Sequence, residues 1–144
     1  MSVAATLVDS NVLIDVISGD LRWESWSADA LRRAADAGRL AINAVIYAEV
    51  SLGFERVEAC DAALSEVGLD RDPIPWPAAF LAGKAFGEYR RRRGRGRSPL
   101  PDFFVGAHAA VGGMRLLTRD PARYRSYFPR LELIAPDSPS VRRP

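Results

Sequence analysis

The stretch Leu7-Val8-Asp9-Ser10-Asn11-Val12-Leu13-Ile14-Asp15 constrains this chain most. The apolar, partly β-branched run from Ala4 to Val8 has the character of a buried strand, and it stops at an acid. Ser10 and Asn11 are good N-caps, and Val12-Leu13-Ile14 followed by Val16-Ile17 predicts a helix. Asp9 is therefore expected in a strand-to-helix turn at the carboxyl end of a strand. Open α/β sheets form their ligand crevice at that edge.

The rest of the chain repeats the alternation. The first helix is expected to close at Gly19, and a second to run from Ser25 or Ser27 to Ala37. The strand Leu40–Ile42, the cap Asn43 and the helix Ala44–Val50 come next, then an amphipathic helix over Glu55–Val67. Asp72-Pro73-Ile74-Pro75 permits only a short or edge strand. A helix from Trp76 runs into an arginine cluster, and Arg93 to Leu100, rich in Gly, Ser and Pro, reads as a mobile loop. A helix from Asp102 to Val111, the strand Arg115–Leu117, a turn at Thr118–Pro121, a short helix Ala122–Tyr127 and the strand Leu131–Ile134 complete the pattern. Strands alternating with helices predict an α/β fold, a mostly parallel sheet covered on both faces. A single domain is expected over residues 1–136, with a frayed tail over residues 137–144.

Composition narrows the function classes. With 48% hydrophobic and 26% charged residues, the chain suits a soluble globular protein. The lone Cys60 excludes an internal disulfide and reads as a small buried residue. The first apolar run has no basic region before it, and no uncharged stretch reaches about 18 residues, so neither a signal peptide nor a membrane span is expected. A cytoplasmic location follows as an expectation. The net charge is only +2, yet Arg90, Arg91, Arg92, Arg93, Arg95 and Arg97 fall within one short segment, leaving the remainder net acidic.

Asp9 and Asp120 each follow a strand, which puts them on the same edge of a parallel sheet. Asp102 lies in the first turn of its helix, and Glu49 is the one acid in an otherwise apolar turn. Carboxylates gathered at one edge repel unless a cation lies between them, and hard oxygen ligands select Mg²⁺ or Mn²⁺. The same acids would also serve as two caps and a turn former. Asp15 is expected on the exposed side of its helix, and His108 as a packed or solvent-facing side chain.

Four segments carry a family resemblance: Leu7 to Ile14; Tyr47-Ala48-Glu49-Val50; Leu100-Pro101-Asp102-Phe103-Phe104-Val105-Gly106-Ala107-His108-Ala109; and Leu117-Thr118-Arg119-Asp120-Pro121. In order and spacing they resemble the four acidic motifs of PIN-domain ribonucleases, above all the VapC-type toxins of bacterial toxin–antitoxin pairs. The match spans roughly Val3 to Pro136 with no acid replaced. The resemblance implies a three-layer α/β/α domain in which Asp9, Glu49, Asp102 and Asp120 hold Mg²⁺ or Mn²⁺ and cleave RNA. Asp9 and Asp102 are then the expected direct ligands. Asp120 binds a second ion or acts through water, and Glu49 ligates or orients the attacking water. Ser10, Asn11 and Thr118 are supporting residues, with capping and turn formation as the alternative for Ser10 and Thr118. A homodimer and an assembly with a VapB-type antitoxin are implied as well. The rival class is a catalytically idle PIN-like RNA-binding or protein-interaction module. A haloacid-dehalogenase phosphatase would need a second Asp where Asn11 stands, and a receiver domain a lysine after Lys84, which is the last.

The arginine run reads either as an RNA contact, since cationic side chains neutralise phosphates, or as a solvated helix end. Replacing Arg91, Arg92, Arg93 and Arg95 with Ala is expected to weaken RNA binding and flatten its salt dependence. An unchanged salt slope in a filter-binding titration would reject the phosphate site.

Overall fold

Five short parallel strands form the centre of the computed structural model, which describes residues 5–93 and 100–136. The strands are β1 (Thr6–Val8), β2 (Leu40–Ile42), β3 (Leu69–Arg71), β4 (Arg115–Leu117) and β5 (Leu133–Ile134), in the order β3-β2-β1-β4-β5. Every residue of β1 and β2 is buried. Successive strand side chains point to opposite faces, so both faces of the sheet are covered there, as the alternation predicts. The helices are α1 (Ser10–Ser18), α2 (Glu24–Ala37), α3 (Ala44–Ser51), α4 (Val57–Ser65), α5 (Trp76–Arg93), α6 (Leu100–Gly112) and α7 (Ala122–Tyr127).

The chain builds outward from β1 through β2 to β3, then returns to the other side of β1 with β4 and β5. The strand order therefore reverses between β1 and β4. Leu7 pairs with Leu116 and Val8 with Leu117, and the Asp9 amide donates to the Leu117 carbonyl at 2.9 Å. The carboxyl ends of these two strands thus lie side by side at the switch point, where α/β sheets open a crevice.

Several boundaries differ from the sequence expectation. The third strand ends before the prolines instead of containing them: Asp72 makes the last backbone bond, to Ile42 O at 2.9 Å, and Pro73 has no N–H to continue. The second helix starts at Glu24 because Asp20 accepts from the amides of Arg22 and Trp23, both at 2.8 Å, and winds the turn that leads into it. Ser27, a possible start of this helix from sequence, lies within it, fully buried, and donates to Asp15. On α5, Phe80 is 68% exposed. Gly19 closes α1 with a φ of 67°, as expected. The tail over residues 137–144 lies outside the described residues, and so does the loop from Arg93 to Leu100 apart from the ends of α5 and α6 that flank it.

The edge strand β3 is fenced by charge. Arg39 donates to Asp70 at 3.2 Å and to both oxygens of Asp72 at 3.1 and 2.8 Å. Elsewhere the core closes through aromatic packing of Phe86, Tyr89, Phe103, Tyr127 and Phe128 between α5, α6 and α7. Gly106 makes that packing possible: a Cβ there would lie 2.5 Å from the Phe128 ring and 3.1 Å from Tyr124. Overpacking of this kind costs about 1–3 kcal/mol, against about 1 kcal/mol gained by Ala over Gly in a helix. Gly106→Ala is expected to lower the urea midpoint; an unchanged or raised midpoint would show that the ring can withdraw.

Candidate active site

Asp9 occupies the turn between β1 and α1 and is only 4% exposed. It is itself the N-cap of α1, a place expected for Ser10 or Asn11. Its Oδ1 accepts from the Ser10 amide at 2.8 Å, so Ser10 is the first helical residue. Its Oδ2 accepts from Thr118 Oγ1 and from the Tyr124 hydroxyl, each at 2.9 Å. Burial pushes the Asp9 carboxyl up to about 6, against the opposing bonds from Thr118, Tyr124 and Ser10, and the Asp102 charge adds to the rise. Three donors thus stabilise the ionised form without cancelling the desolvation.

Thr118, fully buried at the end of β4, ties the turn together. While donating to Asp9 it accepts from the Asp120 amide at 3.1 Å and from Asn11 Nδ2 at 3.3 Å. Asn11 Oδ1 in turn accepts from the Arg119 amide at 3.1 Å. Asn11 and Thr118, expected as supporting residues, lie in this one network. Ser10 reaches the third acid: its hydroxyl donates to Glu49 Oε1 at 2.7 Å, and α3 holds Glu49 half-buried.

Asp102 lies in the first turn of α6, with Oδ2 2.5 Å from Arg123 Nη1. Burial raises its carboxyl above the ordinary value; Arg123 opposes the rise and the Asp120 charge adds to it. Asp120 itself is exposed at the mouth of the turn. The Tyr124 hydroxyl is pushed well above its ordinary value, first by burial and then by the charges of Asp9, Asp102 and Glu49. The charge of Asp102 thus reaches Asp9, that of Asp120 reaches Asp102, and Asp9, Asp102 and Glu49 all act on the Tyr124 hydroxyl. Their oxygen donors and mutual repulsion fit a hard divalent cation in chemistry. Among the described residues, however, no three acidic, histidine or cysteine side chains converge as a ready-made metal group. Each acid except Asp120 is turned toward a protein donor.

Asp15 corrects an expectation. It is 1% exposed, and Arg119 clamps it with Nε at 2.7 Å and Nη2 at 3.0 Å, while Ser27 donates at 2.8 Å. Arg119 also stacks on Trp23, its guanidinium carbon 5.2 Å from the ring centroid, so this strut fixes the turn that carries Asp120. His108 is buried and pairs through Nδ1 with Asn43 Nδ2 at 3.0 Å, as a packed histidine. At the end of α5, Arg91 and Arg92 pair with Glu88 at 2.8 and 3.1 Å, and Arg92 lies over Tyr127, 4.9 Å from its centroid. Arg90 lies over Phe86. The side chain of Arg93 and all of Arg95 and Arg97 are outside the described residues.

Sequence reasoning missed Tyr124, Arg123 and Arg119 as members of the site. All three follow the strand that leads to Asp120, and proximity to that acid was the available signal.

The PIN-domain family model matches residues 6–128, and the chain belongs to that family. Curated protein sequences give no match. Among solved structures, the fold is similar to VapBC2 of Rickettsia felis bound to a DNA fragment from its promoter, at 17% identity over 91% of this chain and 98% of that one, with a TM-score of 0.69. It is similar also to VapBC-1 of nontypeable Haemophilus influenzae, at 15% identity over 91% and 97% of the two chains, with a TM-score of 0.67. A third is VapC20 of Mycobacterium tuberculosis, a sarcin-ricin loop cleaving toxin: 14% identity over 84% and 94%, TM-score 0.59. At such identities the likeness is one of fold. No helix among the described residues is long and apolar enough to cross a membrane.

Because the folded Asp9 carboxyl titrates above its ordinary value of 3.8, its ionisation costs stability as pH rises from about 4 to beyond 6. In chelator, the stability of Asp9→Asn minus that of wild type is expected to grow by about 3 kcal/mol across that window and to level off above it. Urea unfolding at a series of pH values reads the difference, and a flat profile would mean that Asp9 ionises as it does in water.

Proposed function

We propose that this chain is a metal-dependent endoribonuclease, the VapC-type toxin of a toxin–antitoxin module. The observation that carries the reading is the switch point between β1 and β4, where two carboxyls of the sheet's carboxyl edge, the buried Asp9 and the half-buried Asp102, are both raised above their ordinary values and the charge of Asp102 reaches Asp9. The fold likeness to a sarcin-ricin loop cleaving toxin supports RNA as substrate.

Asp9 and Asp102 would hold Mg²⁺ or Mn²⁺, with Asp120 at the mouth and Glu49 across the crevice. When bound, such an ion lowers the pKa of water and stabilises charge on the leaving oxygen of a phosphodiester. The chain's own residues prepare the site. Thr118 and Tyr124 fix Asp9 Oδ2, and Ser10 fixes Glu49 at a place where its carboxylate can orient an attacking water or take its proton. Arg90, Arg91, Arg92 and Arg93 at the end of α5, with Arg95 and Arg97 beyond it, supply cations for the RNA backbone. Glu88 neutralises part of this charge and sets two of the side chains.

Several similar structures are toxin–antitoxin complexes, which supports an antitoxin as partner here. A groove of about 530 Å³ lined by Ile14, Ile17, Glu49, Val50, Leu52 and Phe54 suits the apolar segment of such a protein, and it opens beside Glu49. Cys60 and Leu64 of α4 are buried and Trp23 covers Arg119, so these apolar side chains pack within the fold. A homodimer and a cytoplasmic location complete the proposal.

One observation favours the idle-module reading: Arg123 already neutralises Asp102. Incubating total RNA with the purified protein separates the two. Discrete fragments are expected with Mg²⁺ or Mn²⁺ and none with chelator, and Asp9→Asn and Asp102→Asn should each lose on the order of 10²-fold or more of the activity. RNA binding without metal-dependent cleavage would overturn the nuclease assignment in favour of the module.

A further inference from the structure

Arg123 stands one residue before Tyr124 in the first turn of α7, and neither capping nor core packing accounts for where its side chain goes. Nη1 lies 2.5 Å from Asp102 Oδ2. The guanidinium carbon is also 5.7 Å from the centroid of Tyr89. Tyr89 packs on Phe103 at 5.6 Å and on Tyr127 at 6.1 Å, so the guanidinium rests between a fixed aromatic wall and a carboxylate. Both partners keep contact with solvent: the side chains are 37% and 32% exposed. An ion pair at such a rim exchanges readily, unlike the enclosed pair of Arg119 with Asp15.

We propose that Arg123 is a built-in counter-ion that fills the cation position on Asp102 while the site is free of metal. A divalent ion binds by displacing it, and Arg123 thereby sets the metal affinity of the crevice. The inference rests on the reading of Asp102 as a metal ligand.

Three features support it. A guanidinium and a divalent ion on the same carboxylate lie within a few ångströms of each other, where like charges repel strongly at the edge of a protein. Asp102 is tied to α7 through Arg123 and no three-acid group converges among the described residues, yet the charge of Asp102 reaches Asp9 and that of Asp120 reaches Asp102. And once released, Arg123 needs no new support, because the Tyr89 ring holds the guanidinium at the rim by cation–π attraction. The displacement is a side-chain exchange that leaves α6 and α7 in place.

The test is Mn²⁺ binding at pH 7.5, read from the electron paramagnetic resonance signal of the free aquo ion, for wild type, Arg123→Ala, Arg123→Lys and Asp102→Asn. Arg123→Ala is expected to bind Mn²⁺ about tenfold more tightly, the order set by removing one charge-assisted bond at a part-exposed site. Arg123→Lys, which keeps the charge but loses the planar fork, should fall between Arg123→Ala and wild type. Asp102→Asn should bind more weakly than any of them. A guanidinium that merely ties α7 to α6 would leave the affinity of Arg123→Ala equal to or below that of wild type, and that result overturns the proposal alone. Binding untouched by Asp102→Asn would overturn the ligand assignment and the proposal together.

Discussion

The whole carboxyl edge of the sheet depends on burying the charge of Asp9. A carboxylate at that depth is tolerable only with donors aimed at it. Here they arrive from three places: the first turn of α1 through the Ser10 amide, the end of β4 through Thr118, and α7 through Tyr124. Each comes from a different part of the chain, so satisfying one carboxylate fixes the relative positions of a strand end and two helices. The crevice is shaped by that requirement before any ligand enters.

The neighbouring acids are placed by the same elements but held differently. Glu49 leans on Ser10, the residue after Asp9, and Asp120 follows Thr118 by two positions. Arg119, between Thr118 and Asp120, is clamped on the far side by Asp15 and Trp23. The turn is thus rigid where it meets Asp9 and open where Asp120 faces solvent. A site that must order a substrate and still exchange it benefits from that gradient.

Much of the fold was legible from local chemistry. The alternation of apolar runs with helical periodicity, together with Gly19 and Asn43 as stop and start signals, yields the parallel sheet and most helix positions. The placing of Asp9 and Asp120 on one edge was legible because strand ends in such sheets share it. What escaped were long-range choices. Asp15 looks like a surface residue until Arg119, more than a hundred positions away, is folded against it. Tyr124 reads as one aromatic of a short helix, and only the tertiary arrangement aims its hydroxyl at Asp9. The third strand was misplaced by a few residues because pairing is decided by the neighbour's free carbonyls as well as by the prolines that end it.

The sheet's borders have a consequence for how copies of this chain can meet. At one margin lies a three-residue strand whose polar groups are crowded by Arg39, Asp70 and Asp72 and followed by Pro73; at the other lies a strand of only two residues. Neither margin offers a long, flat ladder to an incoming strand, and charged, proline-flanked borders discourage such pairing. Association by strand exchange or fibre-like stacking is thus disfavoured by construction, and contact between copies is steered to helical surfaces.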